Sequence, residues 1–344
     1  MEELTDTDFA AGWGELEATK VSHKYIHYVP LSEAAKATVS EAQDQHRVFT
    51  GIPSFDAEMR GIGRRHLCNI VGYSHSGKTL VLLHMLLANK DKRIAYFCPD
   101  ETQSLILVKL TSIITGVGAK ELEQRIAAGD SEAIHLLTET ATEHFPNLAV
   151  YEDGLTPSKM DAAFDELTED VWGHEADMVI VDYVDLMEDC GETPPQKFNW
   201  LKAWGRSAGA SGKAMTISSG NFGGEQHATF QIGVRRKKNS IMEELAEARS
   251  KASPNIEKIA DLQHSLLEHE YTITLNLVKN KRPGGACVDE MDMELDVSTG
   301  ALHLMAHGDK PYQWQQQHSL AAKEQATAMT ASVTSREEED LELF

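Results

Sequence analysis

The stretch IVGYSHSGKTL, residues 70–80, sets a glycine ahead of four variable residues and then Gly77-Lys78-Thr79. A short apolar run, LCNIVG, leads into it, and a helical pattern, GKTLVLLHMLLANK, leads out. Strand, glycine loop and helix in that order are what a phosphate-gripping loop requires. Gly72 and Gly77 let the backbone curl so that its N–H groups point at phosphate oxygens, and the helix adds its positive N-terminal end. Gly72, Ser76, Gly77, Lys78 and Thr79 are therefore the candidate nucleotide-binding residues. Lys78 is placed to neutralise the β- and γ-phosphates, and the Thr79 hydroxyl to ligate Mg²⁺. A chance match is the competing reading, and the flanking strand and helix weigh against it.

The pattern around the loop repeats. RIAYFC, NLAVYED, the start of DMVIVDYVDLM, and KAMTISS read as strands, each separated from the next by helical stretches. The long stretch KELEQRIAAGDSEAIHLLTETATEH reads as surface helix. Such alternation predicts an α/β domain with a mostly parallel central sheet flanked by helices. The second half departs from it. HATFQIGVRRKK and EYTITLNLVKNKR show strand patterning around a polar helical insertion at 240–270, interrupted at Ser253-Pro254. ACVDEMDMELDVSTGALHLM reads as a terminal hairpin pair, which gives a C-terminal antiparallel extension. The expected organisation is an N-terminal extension with a helix at 1–45, a core at 46–308, and an acidic, largely disordered tail at 309–344.

Composition narrows the class. The chain has 344 residues, 41% of them hydrophobic, and a net charge of −22. No apolar run approaches the roughly 18 residues that span a bilayer. The acidic N-terminus lacks a basic-then-apolar signal, so a cytoplasmic protein with no membrane partner is expected. Four scattered cysteines form no CxxC pair, which argues for reduced thiols and against zinc. The negative charge argues against broad, non-specific nucleic-acid binding but leaves room for a local basic channel. Basic residues concentrate in VRRKK at 234–238 and KNKR at 279–282.

Two further elements complete a hydrolytic site. MVIVD ends a strand in Asp182, where a magnesium-side acid belongs, although a strand ending in a turn aspartate is also common. RIAYFC is followed by PDET, so Asp100 and Glu101 stand at a strand's carboxyl edge. They would lie near the γ-phosphate if that strand neighbours the loop strand. There they would align the attacking water, or merely cap a helix N-terminus.

In order, FTGIPSFDAEM, the glycine loop, the acid pair, VIVDYVDLM and VKNKRPGG resemble the RecA-fold ATPase domain of the DnaB-like replicative helicases, and the acid pair also resembles the tandem acids of the KaiC ATPases. The resemblance implies a RecA-like P-loop NTPase core, ATP as nucleotide, and Mg²⁺. It implies Lys78 and Thr79 on phosphate and metal, and Asp182 as the metal acid. Asp100 aligns with the family's water-activating Glu, with Glu101 beside it. Lys279 matches the family's late Lys. Lys281 falls where a neighbouring subunit's arginine finger is expected, with Arg282 one step on. The alternative for that run is a solvated hairpin tip. The resemblance further implies a homo-oligomer, a hexameric ring acting on single-stranded DNA in replication or recombination. The compact layout looks like a bacteriophage-encoded version.

Departures qualify this. The family's N-terminal primase-binding domain is missing, and LSEAAKATVSEAQ resembles only the linker helix. Ser219 stands where a γ-phosphate-sensing Gln is frequent. The DNA-facing loops are weakly basic, with Lys197 in the first and Phe222, a base-stacking candidate, in the second. Arg235, Arg236 and Lys237 either track a phosphate backbone, face a neighbouring nucleotide, or form a solvated strand end. EEEDLELF reads as a docking tip for a replication partner or as a solubilising end. Three other functions stay open: a RecA-like recombinase filament, a nuclease on a RecA scaffold using acids near Asp182, Asp185, Glu188 and Asp189, and a KaiC-like regulatory ATPase without nucleic acid.

Overall fold

Strands apolar at every position need partners on both faces, and these have them. In the computed structural model, β1 (Leu67–Val71), β2 (Ile94–Phe97), β3 (Leu148–Tyr151), β4 (Met178–Val181), β5 (Ala214–Ser219) and β6 (Phe230–Arg236) run parallel. Side chains alternate between faces along a strand. Tyr96 and Ile180 accordingly join one core with Phe55, Leu82, Leu86 and Ile106. Phe97 and Val181, one position on, join the other with Phe164, Phe198, Leu201 and Trp204. The helices that cover these faces are α1 (Pro53–Met59), α2 (Lys78–Ala88), α3 (Gln103–Thr115), α4 (Ala119–Ala127), α5 (Ser131–Glu139), α6 (Pro157–Glu166) and α7 (Pro194–Ser207).

The described residues are 31, 35, 36, 38, 39, 47–208, 213–220, 226–251 and 255–305. The chain divides into two compact units, Met1–Asp44 and Gln45–Phe344. In the first, Leu31, Ala35, Lys36, Thr38 and Val39 are helical and exposed. Phe222, Ser253-Pro254 and the whole tail from 309 lie outside the described residues.

Beyond β6 come α8 (Lys237–Ser250), α9 (Ile256–Glu268), and the antiparallel strands β7 (Thr272–Asn280), β8 (Val288–Leu295) and β9 (Leu302–Leu304). The sheet order is β3-β2-β4-β5-β1-β6-β7-β8-β9. The parallel core and antiparallel extension thus match the expected fold class. Two local expectations change. The helix predicted across 120–144 is broken, because Gly129 takes φ 77° and the Asp130 side chain caps α5 by accepting from Glu132 N at 2.9 Å. Strand β6 ends at Arg236, so Lys237 opens a helix rather than extending VRRKK as a strand.

The entry segment shows why Thr-Gly precedes an aspartate. The Asp56 carboxylate accepts from Thr50 N at 2.7 Å, Thr50 Oγ1 at 2.8 Å and Gly51 N at 3.0 Å, fixing the chain where it enters the core. At the sheet's amino edge, Lys213 is buried, ion-paired with Glu175, and sits 5.5 Å over the Phe164 ring.

Glu294 on β8 is 4% exposed, and burial pushes its carboxyl from 4.5 up to about 7, against the lowering effect of a Thr272 hydroxyl bond. The folded state therefore holds this proton more tightly than the unfolded chain. Its stabilising contribution is full at low pH and is lost as pH rises from 4.5 to about 7. Thermal melts should show wild-type stability falling across that window and Glu294→Gln flattening the fall. Parallel melting-temperature profiles for the two proteins would contradict this.

Candidate functional site

The glycine loop leaves the carboxyl end of β1 and closes at the N-terminus of α2. Its two glycines serve different ends. Gly77 has φ 105°, a left-handed conformation that side chains resist. Gly72 is needed for close approach: a Cβ there would lie 2.3 Å from the Val234 carbonyl oxygen on β6 and 2.5 Å from Ser76 Oγ. Gly72 N donates to the Ser219 carbonyl at 3.2 Å, tying the loop to β5. Lys78 Nζ donates to the Gly72 and Tyr73 carbonyls at 2.9 and 3.0 Å. Burial lowers the Lys78 pKa, while Asp182 and Asp185 oppose that shift. Ser76 Oγ is buried and makes no hydrogen bond among the described residues. An unmet hydroxyl inside a glycine loop costs stability unless a ligand oxygen meets it, so the loop fits a phosphate.

Asp182 ends β4 and is 4% exposed. Its Oδ2 accepts from Thr79 Oγ1 at 2.8 Å and Tyr96 OH at 3.0 Å, and its Oδ1 accepts from Ser218 Oγ. Loop threonine and strand-end acid, chosen from separate parts of the sequence, are thus in direct contact. A hydroxyl and a carboxylate side by side form a hard oxygen donor set, which fits Mg²⁺ better than a soft metal. Burial first, then the charge of Asp182, holds the Tyr96 phenol well above its ordinary range.

The acid pair stands elsewhere than on a strand next to the loop. β4 and β5 lie between β2 and β1, a gap of roughly 14 Å in the sheet plane. Both acids follow β2, the neighbour of β4, and so lie on the Asp182 side. Asp100 is exposed. Glu101 is held by Lys109 Nζ at 2.5 and 2.6 Å.

The basic candidates disperse. Arg235 pairs with Glu290 and Lys237 with Asp292, both on β8. Arg236 Nε donates to the His75 carbonyl at 3.4 Å, on the wall of the loop. VRRKK is therefore not one surface, because strand alternation and the start of α8 turn its members apart. Lys197 Nζ donates to the Asp185 and Met187 carbonyls at 2.8 and 2.5 Å. It pins the turn after β4 instead of facing outward. Arg282 folds back on its own chain, reaching Met59 O at 3.2 Å and Gly61 O at 3.4 Å. Lys281 is exposed, with Nζ 3.3 Å from the Gln226 carbonyl, and Lys279 lies opposite Gln231. Ser219 is buried and bonds Asn69 Oδ1 at 3.3 Å, so its side chain does not face the loop.

Asp185 joins the site without having been singled out beyond the acid group. It accepts from Gly220 N at 2.9 Å and acts on Lys78. Its only sequence signal was proximity to Asp182. Among the described residues, no three of His, Cys, Asp and Glu are grouped to hold a metal ion, which leaves the nuclease reading without a second site. No described helix is long and apolar enough to cross a membrane.

Gly72→Ala tests the close approach. The added methyl meets backbone, which cannot rotate away, so the loop must shift. Titration with a fluorescent ATP analogue should show affinity falling about tenfold or more, about 1.4 kcal/mol, with the far-UV circular dichroism spectrum unchanged. Wild-type affinity would count against this role for Gly72.

Residues 48–202 match the family model described as the DnaB-like helicase C terminal domain. A solved structure of an isolated ATPase domain superposes with TM-score 0.59 at 13% identity, covering 81% of this chain and 100% of that one. A DnaB-like replicative helicase, solved to show its interactions with primase, superposes with TM-score 0.57 at 13% identity, covering 81% of this chain and 69% of that one. No curated protein matches the chain. At such identity the two structures speak for the fold, and the family model speaks for the kind of domain. Over residues 48–202 the chain carries the DnaB-like helicase C-terminal domain on a RecA-like fold, and it is an ATP-hydrolysing enzyme of that helicase type.

Proposed function

We propose that the chain is a DNA-acting motor that hydrolyses ATP between subunits of a homo-oligomeric ring, a hexamer, on single-stranded DNA in replication. The observation that supports this most is the Thr79–Asp182 contact at the mouth of a loop whose buried Ser76 hydroxyl is unmet. In this reading Gly72, Ser76 and Gly77 cradle the phosphates. Lys78 leaves its carbonyl partners to bind the β- and γ-phosphates. Thr79 and Asp182 hold Mg²⁺, which would offset negative charge on the phosphates. Asp100, exposed beside Asp182, aligns the attacking water, while Glu101, tied to Lys109, shapes the local field. Lys279 and Lys281 face the nucleotide of a neighbouring subunit. Arg282 acts on its own chain, bracing the β7 end against α1.

Steady-state ATPase rates with and without single-stranded DNA provide the test. Wild type should be stimulated severalfold by DNA, and Lys78→Ala should lose about 100-fold or more of either rate. A wild-type rate indifferent to DNA would end the motor reading in favour of a regulatory ATPase. A normal rate in Lys78→Ala would end the assignment of the loop.

A further inference from the structure

The two edges of the sheet carry opposite charge. Asp100, Glu101, Asp182, Asp185, Glu188 and Asp189 all follow β2 or β4 at the carboxyl edge, with the glycine loop. The amino edge is basic. β7 runs antiparallel to β6 and brings Lys279 and Lys281 down to where β6 begins, with Lys281 N donating to Thr229 O at 3.1 Å. His227 lies just ahead of the same point. α7 ends at this edge too, since the Gly205 carbonyl accepts from Lys213 N at 2.7 Å just before β5. Its last turns carry Lys202, half-buried, and Arg206, exposed.

These charges act on one another. Burial, then Arg206 and Lys281, lowers the Lys202 pKa, and burial, then Lys202, Lys281 and Lys279, lowers that of His227. Among the described residues, no carboxylate forms a salt bridge with Lys202, Arg206 or Lys281. Like charges gathered in this way favour an anion between them.

That anion is not this subunit's own nucleotide. Thr229 N bonds the Leu67 carbonyl at 2.8 Å, so Lys281 sits level with the start of β1, roughly 16 Å along the strand from the loop. Unlike edges on one subunit suit head-to-tail association, in which each basic edge meets an acidic edge. A chain of net charge −22 repels a polyanion arriving from solvent, but not one already held between copies.

We propose that Lys202 and Arg206 on α7 join Lys279, Lys281 and His227 in one anion receptor, whose ligand is the triphosphate of a nucleotide bound to the loop of a second copy of this chain. The inference rests on the ring reading and adds the α7 pair to it.

The test uses the full chain, ATP and Mg²⁺, without DNA. Lys202→Gln/Arg206→Gln should lower kcat about tenfold or more while light scattering gives the wild-type assembly mass. Lys202→Arg/Arg206→Lys, which keeps both charges, should stay within about twofold. Mixing the double Gln variant with Lys78→Ala should give more activity than either alone, because an intact loop then meets an intact receptor on another copy. Wild-type kcat in the double Gln variant, or a loss that mixing does not recover, would overturn the proposal. A loss confined to DNA affinity would also overturn it and give the cluster to nucleic acid. Should the double variant fail to fold, Arg206→Gln at an exposed position carries the same comparison. Failure of the motor reading shows instead in the wild type, as a rate that DNA does not change.

Discussion

The structure turns on the Asp182 carboxylate. It gathers hydroxyls from three other elements: Thr79 on α2, Tyr96 on β2 and Ser218 on β5. A carboxylate this deeply buried would be costly alone, and each hydrogen bond to a charged acceptor returns about 1.5–3 kcal/mol. The parallel strand order β2-β4-β5-β1 exists at this edge in a form that lets those groups converge. The two apolar cores above and below the sheet fix the strands, the strands fix the hydroxyls, and the hydroxyls fix the acid beside the glycine loop.

The same segment reaches outward. Asp185 accepts from Gly220 N, and Lys197 on α7 clamps the Asp185 and Met187 carbonyls. A change at Asp182 is therefore passed to the end of β5 through short, directional bonds, without a long path through the core. α7 spans both edges, with Lys197 near the acid segment and Arg206 at the basic edge. One rigid helix thus connects the two ends of opposite charge, which is the arrangement a head-to-tail assembly uses.

Much of this was legible in the sequence where the signal is local. Apolar runs marked the strands because both faces are buried, and the glycine loop carried its own geometry. Asp182 could be found from the strand it ends. Strand order was not legible, because it depends on crossovers between distant segments, and so the separation of β2 from β1 was not found. The VRRKK run misled for a related reason: consecutive cations on a strand face opposite ways, and Lys237 belongs to the next helix. The break at Gly129-Asp130 was readable in principle, since a glycine followed by an aspartate stops one helix and caps another. Lys202 and Arg206 carried no signal of their own; only the folded chain sets them beside Lys281.

Calorimetric titration of ATP with and without Mg²⁺, for wild type and Asp182→Asn, probes the site most directly. The amide keeps the shape of the carboxylate and removes its charge. Wild type should bind ATP more tightly with Mg²⁺ than without, and Asp182→Asn should keep its fold and lose that difference. An unchanged Mg²⁺-dependent gain in Asp182→Asn would contradict the placing of the metal between Thr79 and Asp182.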